Sequence, residues 1–227
     1  MRSFTTSGPI SAALLALWLA GAAAAAPTMT LDGVLSQIDR AAANIHSLTA
    51  QVVSLKYTKL VDDTTVEAGD FYYRKTARGM EIALEIRKPY RRDFIYRDDT
   101  GWIYQPRIKQ AQEFDLRKNR EAVAQFLLLG LGGGGHALLA SYRVALEPEE
   151  RGLVHLHLTP KRPTPGVSSI DLWYDPKLWV TAAQQVNQPS GDFQRLNYSD
   201  IRLNARIADR HFSTDFPGAT IVRPQAP

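Results

Sequence analysis

Between residues 69 and 116, apolar and polar positions alternate in short runs, each closed by turn-forming residues. Phe71 and Tyr73 share one side of the first run, and Ile82, Leu84 and Ile86 alternate with Ala83, Glu85 and Arg87 in the second. Phe94 and Tyr96 alternate with Asp93, Ile95 and Arg97 in the third, and Trp102 and Tyr104 close the pattern. A period of two sends successive side chains to opposite faces of a sheet. The breaks at Arg78-Gly79, Pro89, residues 98–101 and Pro106 are where antiparallel strands turn back. This pattern predicts a curved meander with one apolar, aromatic face and one strongly basic face. The apolar face needs a core or a ligand to cover it.

The flanking segments change period. Over residues 30–48, Leu31, Val34, Leu35, Ile38, Ala42, Ile45 and Leu48 recur at helical spacing, with Thr30 placed to cap and Asp32 in the first turn. Strand alternation follows over 49–59, where Val53, Leu55 and Tyr57 alternate with Ser54, Lys56 and Thr58. Residues 119–131 predict a second helix, apolar nearly all round at its far end and broken by the glycines at 132–135. That segment reads equally as a mobile lid or as an ordinary buried helix with a flexible exit; residues 136–140 can add one more turn. Strands are expected over 142–146, 153–159, 168–174, 178–187 and 193–203, and a frayed tail after Phe216. Many strands, two helices and no βαβ alternation place the chain in a mainly β, α+β class. The expected architecture is one large antiparallel sheet curled into a half-open barrel, with the helices filling its mouth.

The N-terminus and the composition narrow the setting. Arg2, the apolar run over 10–20 and the alanines at 22–26 have the three regions of a cleaved export signal, so residues 1–26 are expected to be removed and 27–227 to form a single domain. Cysteine is absent, which leaves no disulfide framework, no thiolate and no site for a lipid anchor. The mature chain is therefore expected to be a soluble periplasmic protein. A net charge of +4 falls short of a nucleic-acid footprint. The clusters Arg74, Lys75, Arg78 and Arg87, Lys88, Arg91, Arg92 read as guarded strand edges or as contacts for an acidic partner.

Chemical motifs are sparse. Residues 130–135 match G-x-G-x-x-G in letters only, because the stretch ends a helix instead of opening one. His155 and His157 would face one side of a strand, but no third ligand accompanies them. No carboxylate pair is placed for acid–base work and no G-x-S-x-G elbow is present. The reading is no enzyme and no cofactor. What remains is the apolar face, which serves equally as a dry core or as a cavity for a lipid chain, where burial yields about 0.8 kcal/mol per methylene.

With its amphipathic first helix, G-D-F-Y-Y-R-K, then R-D-F-I-Y-R-D-D-T-G-W-I-Y-Q-P, the chain resembles the LolA family of periplasmic lipoprotein carriers. D-L-W-Y-D-P at 171–176, L-N-Y-S-D-I-R-L-N at 196–204 and F-S-T-D-F-P-G-A at 212–219 extend that resemblance over essentially all of the mature chain. It implies an incomplete barrel under a helical lid, whose cavity takes the acyl chains of a lipoprotein. A monomeric carrier of this kind receives cargo from an inner-membrane ABC-transporter complex and passes it to an outer-membrane acceptor, without binding nucleic acid. By the resemblance, Phe71, Tyr73, Ile82, Leu84, Ile86, Phe94, Tyr96, Trp102 and Tyr104 line or border the cavity. Leu127, Leu128 and Leu131 come from the lid, and Lys75 or Arg74 holds the lid closed. The alternatives are a carrier of another lipid and a lipoprotein-sensing regulator of the RseB type.

Overall fold

The structure, a computed structural model, describes residues 29–117 and 134–224. The expected export signal and the whole of the second predicted helix, 119–131, therefore lie outside the described residues. One helix, α1 (Leu31–Asn44), is followed by six strands: β1 (Ser47–Thr58), β2 (Asp63–Thr76), β3 (Gly79–Lys88), β4 (Arg92–Arg97), β5 (Thr100–Gln105) and β6 (Gln110–Asp115). A helical turn, Leu138–Ser141, leads into β7 (Tyr142–Glu150), β8 (Leu153–Pro160), β9 (Ser169–Asp175), β10 (Val180–Asn187) and β11 (Phe193–Leu203), and β12 (Thr220–Val222) ends the order. All belong to one sheet in the order β12-β6-β5-β4-β3-β2-β1-β11-β10-β9-β8-β7. Strand β1 joins the halves by pairing antiparallel with both β2 and β11. The edge strands β12 and β7 do not pair, so the sheet is open and mainly antiparallel, as the alternation predicts.

Local chemistry sets the turns. Asp98 and Asp99 both take positive φ (49° and 57°), giving a two-residue hairpin that pairs Arg97 with Thr100. Gly69 sits where the β2–β3 register slips, and a Cβ there would lie 2.0 Å from the Glu85 carbonyl oxygen. Only glycine allows the two strands to approach so closely at this bulge.

Two boundaries differ from the sequence pattern. The helix stops at Asn44, not 48; Ile45 is already extended, and Leu48 points from β1 into the core. The Asn204 side-chain oxygen accepts the His46 amide at 2.8 Å, so tertiary contact draws the chain into strand pairing. Contrary to expectation, residues 217–224 are not frayed: Phe216 before them is buried, and Thr220–Val222 pairs parallel with β6, placing Ile221 opposite Ala111. Without it, β6 would present an open edge.

The core has three parts. Thr30 caps α1 by accepting the Gly33 amide at 3.2 Å, and Val34, Leu35 and Ile38 bury against Leu156, Leu158, Ile170 and Leu172. A second cluster joins Ile45, Leu48, Phe71, Tyr73, Ile82 and Tyr198 on the same, inner face of the sheet. The third lies on the outer face, where the C-terminal segment lays Phe212 and Phe216 over Ala83, Ile95 and Ala111. Helix α1 covers the inner face of the β8–β10 half; the inner face of β1–β6 is where space remains.

Candidate functional site

A cavity of about 610 Å³ occupies that space, within the roughly 300–1,000 Å³ usual for small-ligand sites. The strand registers build its wall in rows. One row runs Phe71, Leu84, Phe94, Ile103 across four strands, and its neighbour runs Tyr73, Ile82, Tyr96, Gly101, Phe114 across five. Gly101 has no side chain, and a Cβ there would meet Leu116 at 2.8 Å, so Leu116 packs over this row. Further along the strands the wall changes character. Gln184, Leu196, Ser54 and Glu67 form one row, and Val186, Gln194, Lys56 and Thr65 the next. The cavity is thus apolar and aromatic at one end and polar at the other.

The polar end is incompletely satisfied. Arg92 bonds Glu67 at 2.6 Å and lies 4.9 Å over the Phe94 ring, yet its Nε is buried without a hydrogen-bond partner among the described residues. Gln184 is 5% exposed, and its Oε1 also has no partner among the described residues. Ser54 is buried but accepts from Gln194 Nε2 at 3.3 Å. Each unmet buried polar atom costs about 1–3 kcal/mol. A donor and an acceptor left open in one cavity favour a ligand with complementary polar atoms.

The predicted cavity residues are distributed as follows. Phe71, Ile82, Leu84, Ile86, Phe94 and Tyr96 line the cavity. Tyr73 shares their face but is buried beside Ile45 and Leu48, where desolvation pushes its hydroxyl pKa up to about 12. Trp102 borders the cavity, but its ring belongs to the outer face, 5.6 Å from Phe216. Tyr104 is on that outer face too, stacked 4.7 Å from Phe216, and does not line the cavity. The register explains this: Trp102 pairs with Ile95 and Tyr104 with Asp93, and Ile95, Trp102 and Tyr104 pack in the outer-face cluster. Sequence reasoning missed Ile103, Phe114, Leu116, Leu196 and Tyr198, and the whole polar end. In β1 the inner residues are Leu48, Ala50, Val52, Ser54 and Lys56, so the apolar alternation of Val53, Leu55 and Tyr57 belongs to the outer face.

The two basic candidates part company. Lys75 Nζ donates to the Ala42 carbonyl at 2.9 Å, adding a second donor to a last-turn oxygen of α1 that also accepts the Ile45 amide at 3.4 Å. Arg74 turns to the outer face, bonding Glu81 at 2.5 Å and Asp209 at 2.6 Å with its guanidinium 4.3 Å over Phe212. It fastens the C-terminal segment. Leu127, Leu128 and Leu131 lie outside the described residues. Where the chain resumes, Gly135 packs so tightly on α1 that a Cβ would sit 2.4 Å from the Leu35 carbonyl oxygen. Beside it, His136 bonds Asp39 through Nδ1 and Asp32 through Nε2, and those hydrogen bonds, Asp39 first, raise its pKa.

The paired histidines are satisfied on the outer face. His157 and His155 both bond Asp171 Oδ1, at 2.7 and 3.1 Å, and Asn187 donates to Oδ2 at 2.7 Å. Burial alone would raise the Asp171 pKa; the hydrogen bonds from His157, His155 and Asn187 outweigh it and hold the pKa below the usual value. Among the described residues no group of three or more His, Asp or Glu is arranged to hold a metal ion. No helix among them is long and apolar enough to cross a membrane.

A family model described as outer membrane lipoprotein carrier protein LolA matches residues 46–215. The chain belongs to the LolA family. No curated protein matches it significantly. Among solved structures, this LolA-family chain is similar to an uncharacterized conserved protein from Thermus thermophilus (TM-score 0.55, 11% identity, 85% of this chain and 98% of that one). It is also similar to MucB (TM-score 0.53, 14% identity), covering 84% of this chain and 65% of MucB's. A LolA superfamily protein from Nitrosomonas europaea aligns over 80% of this chain and 98% of its own, at 13% identity and TM-score 0.38. At such identities the likeness to the first two concerns the fold.

Proposed function

We propose that this LolA-family chain is a periplasmic carrier that shields the acyl chains of lipoproteins between an inner-membrane ABC transporter and an outer-membrane acceptor. The observation that carries the reading is the two-ended cavity. Phe71, Leu84, Phe94 and Ile103 form a wall for methylene groups. Ten buried methylenes contribute roughly 8 kcal/mol of gross transfer energy, enough for useful affinity without covalent chemistry. At the other end, the Arg92 Nε–H and Gln184 Oε1, unpartnered among the described residues, are placed to meet an acceptor and a donor. Amide- and ester-linked acyl groups on an amino acid carry such atoms at the polar end of an apolar chain. Lys75, through Ala42, holds α1 across the sheet beside the cavity.

The test is competition between ligands. The protein is saturated with a fluorescent fatty acid, then titrated with a synthetic acylated lipopeptide or with the unlabelled fatty acid. The reading predicts displacement by the lipopeptide at lower concentration, and weaker discrimination in Gln184→Leu. A lipopeptide no better than a plain fatty acid moves the function to a carrier of another lipid, and no displacement by either removes the cavity from the argument.

A further inference from the structure

Three hairpin tips lie at the same end of the sheet, beyond the polar end of the cavity. They are residues 59–62 between β1 and β2 with the flanking Thr58 and Asp63, 89–91 between β3 and β4, and 106–109 between β5 and β6. Each presents a large apolar side chain to solvent: Leu60 is 92% exposed, Val61 65%, Tyr90 64% and Ile108 59%. The β1–β2 hairpin reaches furthest. Pairing of β2 with β3 begins only at Ala68 opposite Lys88, so residues 63–67 overhang β3 by about 16 Å at roughly 3.3 Å per residue. Cations surround the apolar tips: Lys59 on the first, Lys88 and Arg91 beside the second, Arg107 and Lys109 on the third. The Arg107 guanidinium lies 4.8 Å over the Tyr90 ring and links two tips. Arg91 is shared with Asp93 at 3.0 Å, and the acidic residues of the tips, Asp62 and Asp63, are confined to the first.

We propose that this end of the half-barrel docks on an anionic lipid bilayer, with Leu60, Val61, Tyr90 and Ile108 entering the interface and the flanking cations meeting lipid phosphates. The arrangement fits a membrane better than a protein partner. The apolar groups stand singly on separate prongs with cations between them, whereas a stable protein interface needs a contiguous complementary surface of about 1,000 Å² or more. Apolar tips rimmed by Lys and Arg are the chemistry that binds the headgroup region of acidic membranes. The placement has a consequence for the cavity. Lys56, Thr65, Glu67 and Arg92 lie under these same tips, so a docked bilayer faces the polar end, where an acylated ligand crosses between lipid and protein. Docking itself does not depend on what the cavity holds.

The test is flotation of the purified full-length mature protein with vesicles of equal parts phosphatidylcholine and phosphatidylglycerol, against vesicles of phosphatidylcholine alone, at low salt. Wild type is expected to float with the anionic vesicles only. The double variant Leu60→Asp/Val61→Asp, and separately Tyr90→Asp/Ile108→Asp, should lose at least ten-fold in partition. Arg107→Gln/Lys109→Gln should lose roughly twenty-five-fold, at about five-fold for each basic residue. Arg78→Gln, at the opposite end in the β2–β3 turn, should float as wild type does. Fluorescent fatty-acid binding and circular dichroism, unchanged in every variant, separate a failure of docking from a failure of folding or of the cavity reading. Wild type that ignores anionic vesicles, apolar-tip variants that float undiminished, or an Arg78→Gln loss equal to that of the tip variants overturns the proposal.

Discussion

Leu84→Glu separates a ligand cavity from a dry core. Leu84 is half-buried at the centre of the apolar row, opposite Phe71 on one side and Phe94 on the other. Leu84 is partly exposed, so the new carboxylate of the unliganded protein reaches water and the fold loses only part of one leucine's burial, about 1 kcal/mol. With an acyl chain in place that carboxylate must be desolvated without a partner. Even after relaxation this costs about 3 kcal/mol, or roughly a hundred-fold in affinity. The assay is paired: urea unfolding for stability and fluorescent fatty-acid titration for binding, at about pH 7.5, well above the carboxyl's ordinary pKa of about 4.3. The deficit should shrink as pH falls toward that pKa, where the neutral acid enters the cavity more cheaply. Unchanged binding would refute the cavity assignment. A loss of stability several-fold larger than stated would show that Leu84 is packed in a closed core.

Three further outcomes follow from the geometry. Lys75→Met should speed amide exchange in α1, removing a cap worth about 0.5–1.5 kcal/mol, whereas Arg74→Met should loosen residues 209–212 and leave α1 unchanged. Gly69→Ala should lower the urea midpoint by about 2–4 kcal/mol of stability, because the methyl meets the Glu85 carbonyl and no flexible side chain can yield. His136 has a folded pKa raised above its unfolded value of about 6.5 by Asp39 and Asp32. Its contribution should be complete below about pH 6.5 and fade as pH rises through the folded pKa, seen as faster exchange of residues 135–141 in wild type but not in His136→Gln.

The alternation was a sound guide where strands are joined without ambiguity. Phe71, Leu84 and Phe94 reach one face because each strand alternates cleanly and its register follows from the adjoining turn. The same logic leaves Trp102 bordering the cavity with its ring turned outward, and it does not hold for Tyr104, which lies on the outer face. A two-residue turn at Asp98-Asp99 pairs even positions with odd ones, so Ile103, not Trp102, lies beside Phe94. Counting the turn would have found this from the sequence. The polar end was harder to foresee: Ser54, Lys56, Glu67, Gln184 and Gln194 look like solvent-facing residues, and only the curvature of the sheet encloses them. The tail was misread because Pro217 and Gly218 signal a turn, while the need of β6 for an edge partner is visible only once the sheet is assembled.

The most direct measurement is native mass spectrometry of the protein purified from its native source, followed by extraction and identification of what is bound. The account predicts an added mass that extracts as an acylated peptide or lipoprotein and is absent from Leu84→Glu prepared in the same way. A free lipid of another class would contradict the lipoprotein assignment. A protein that is empty as isolated and stays empty when mixed with lipoprotein would contradict the central claim that the β1–β6 cavity carries cargo.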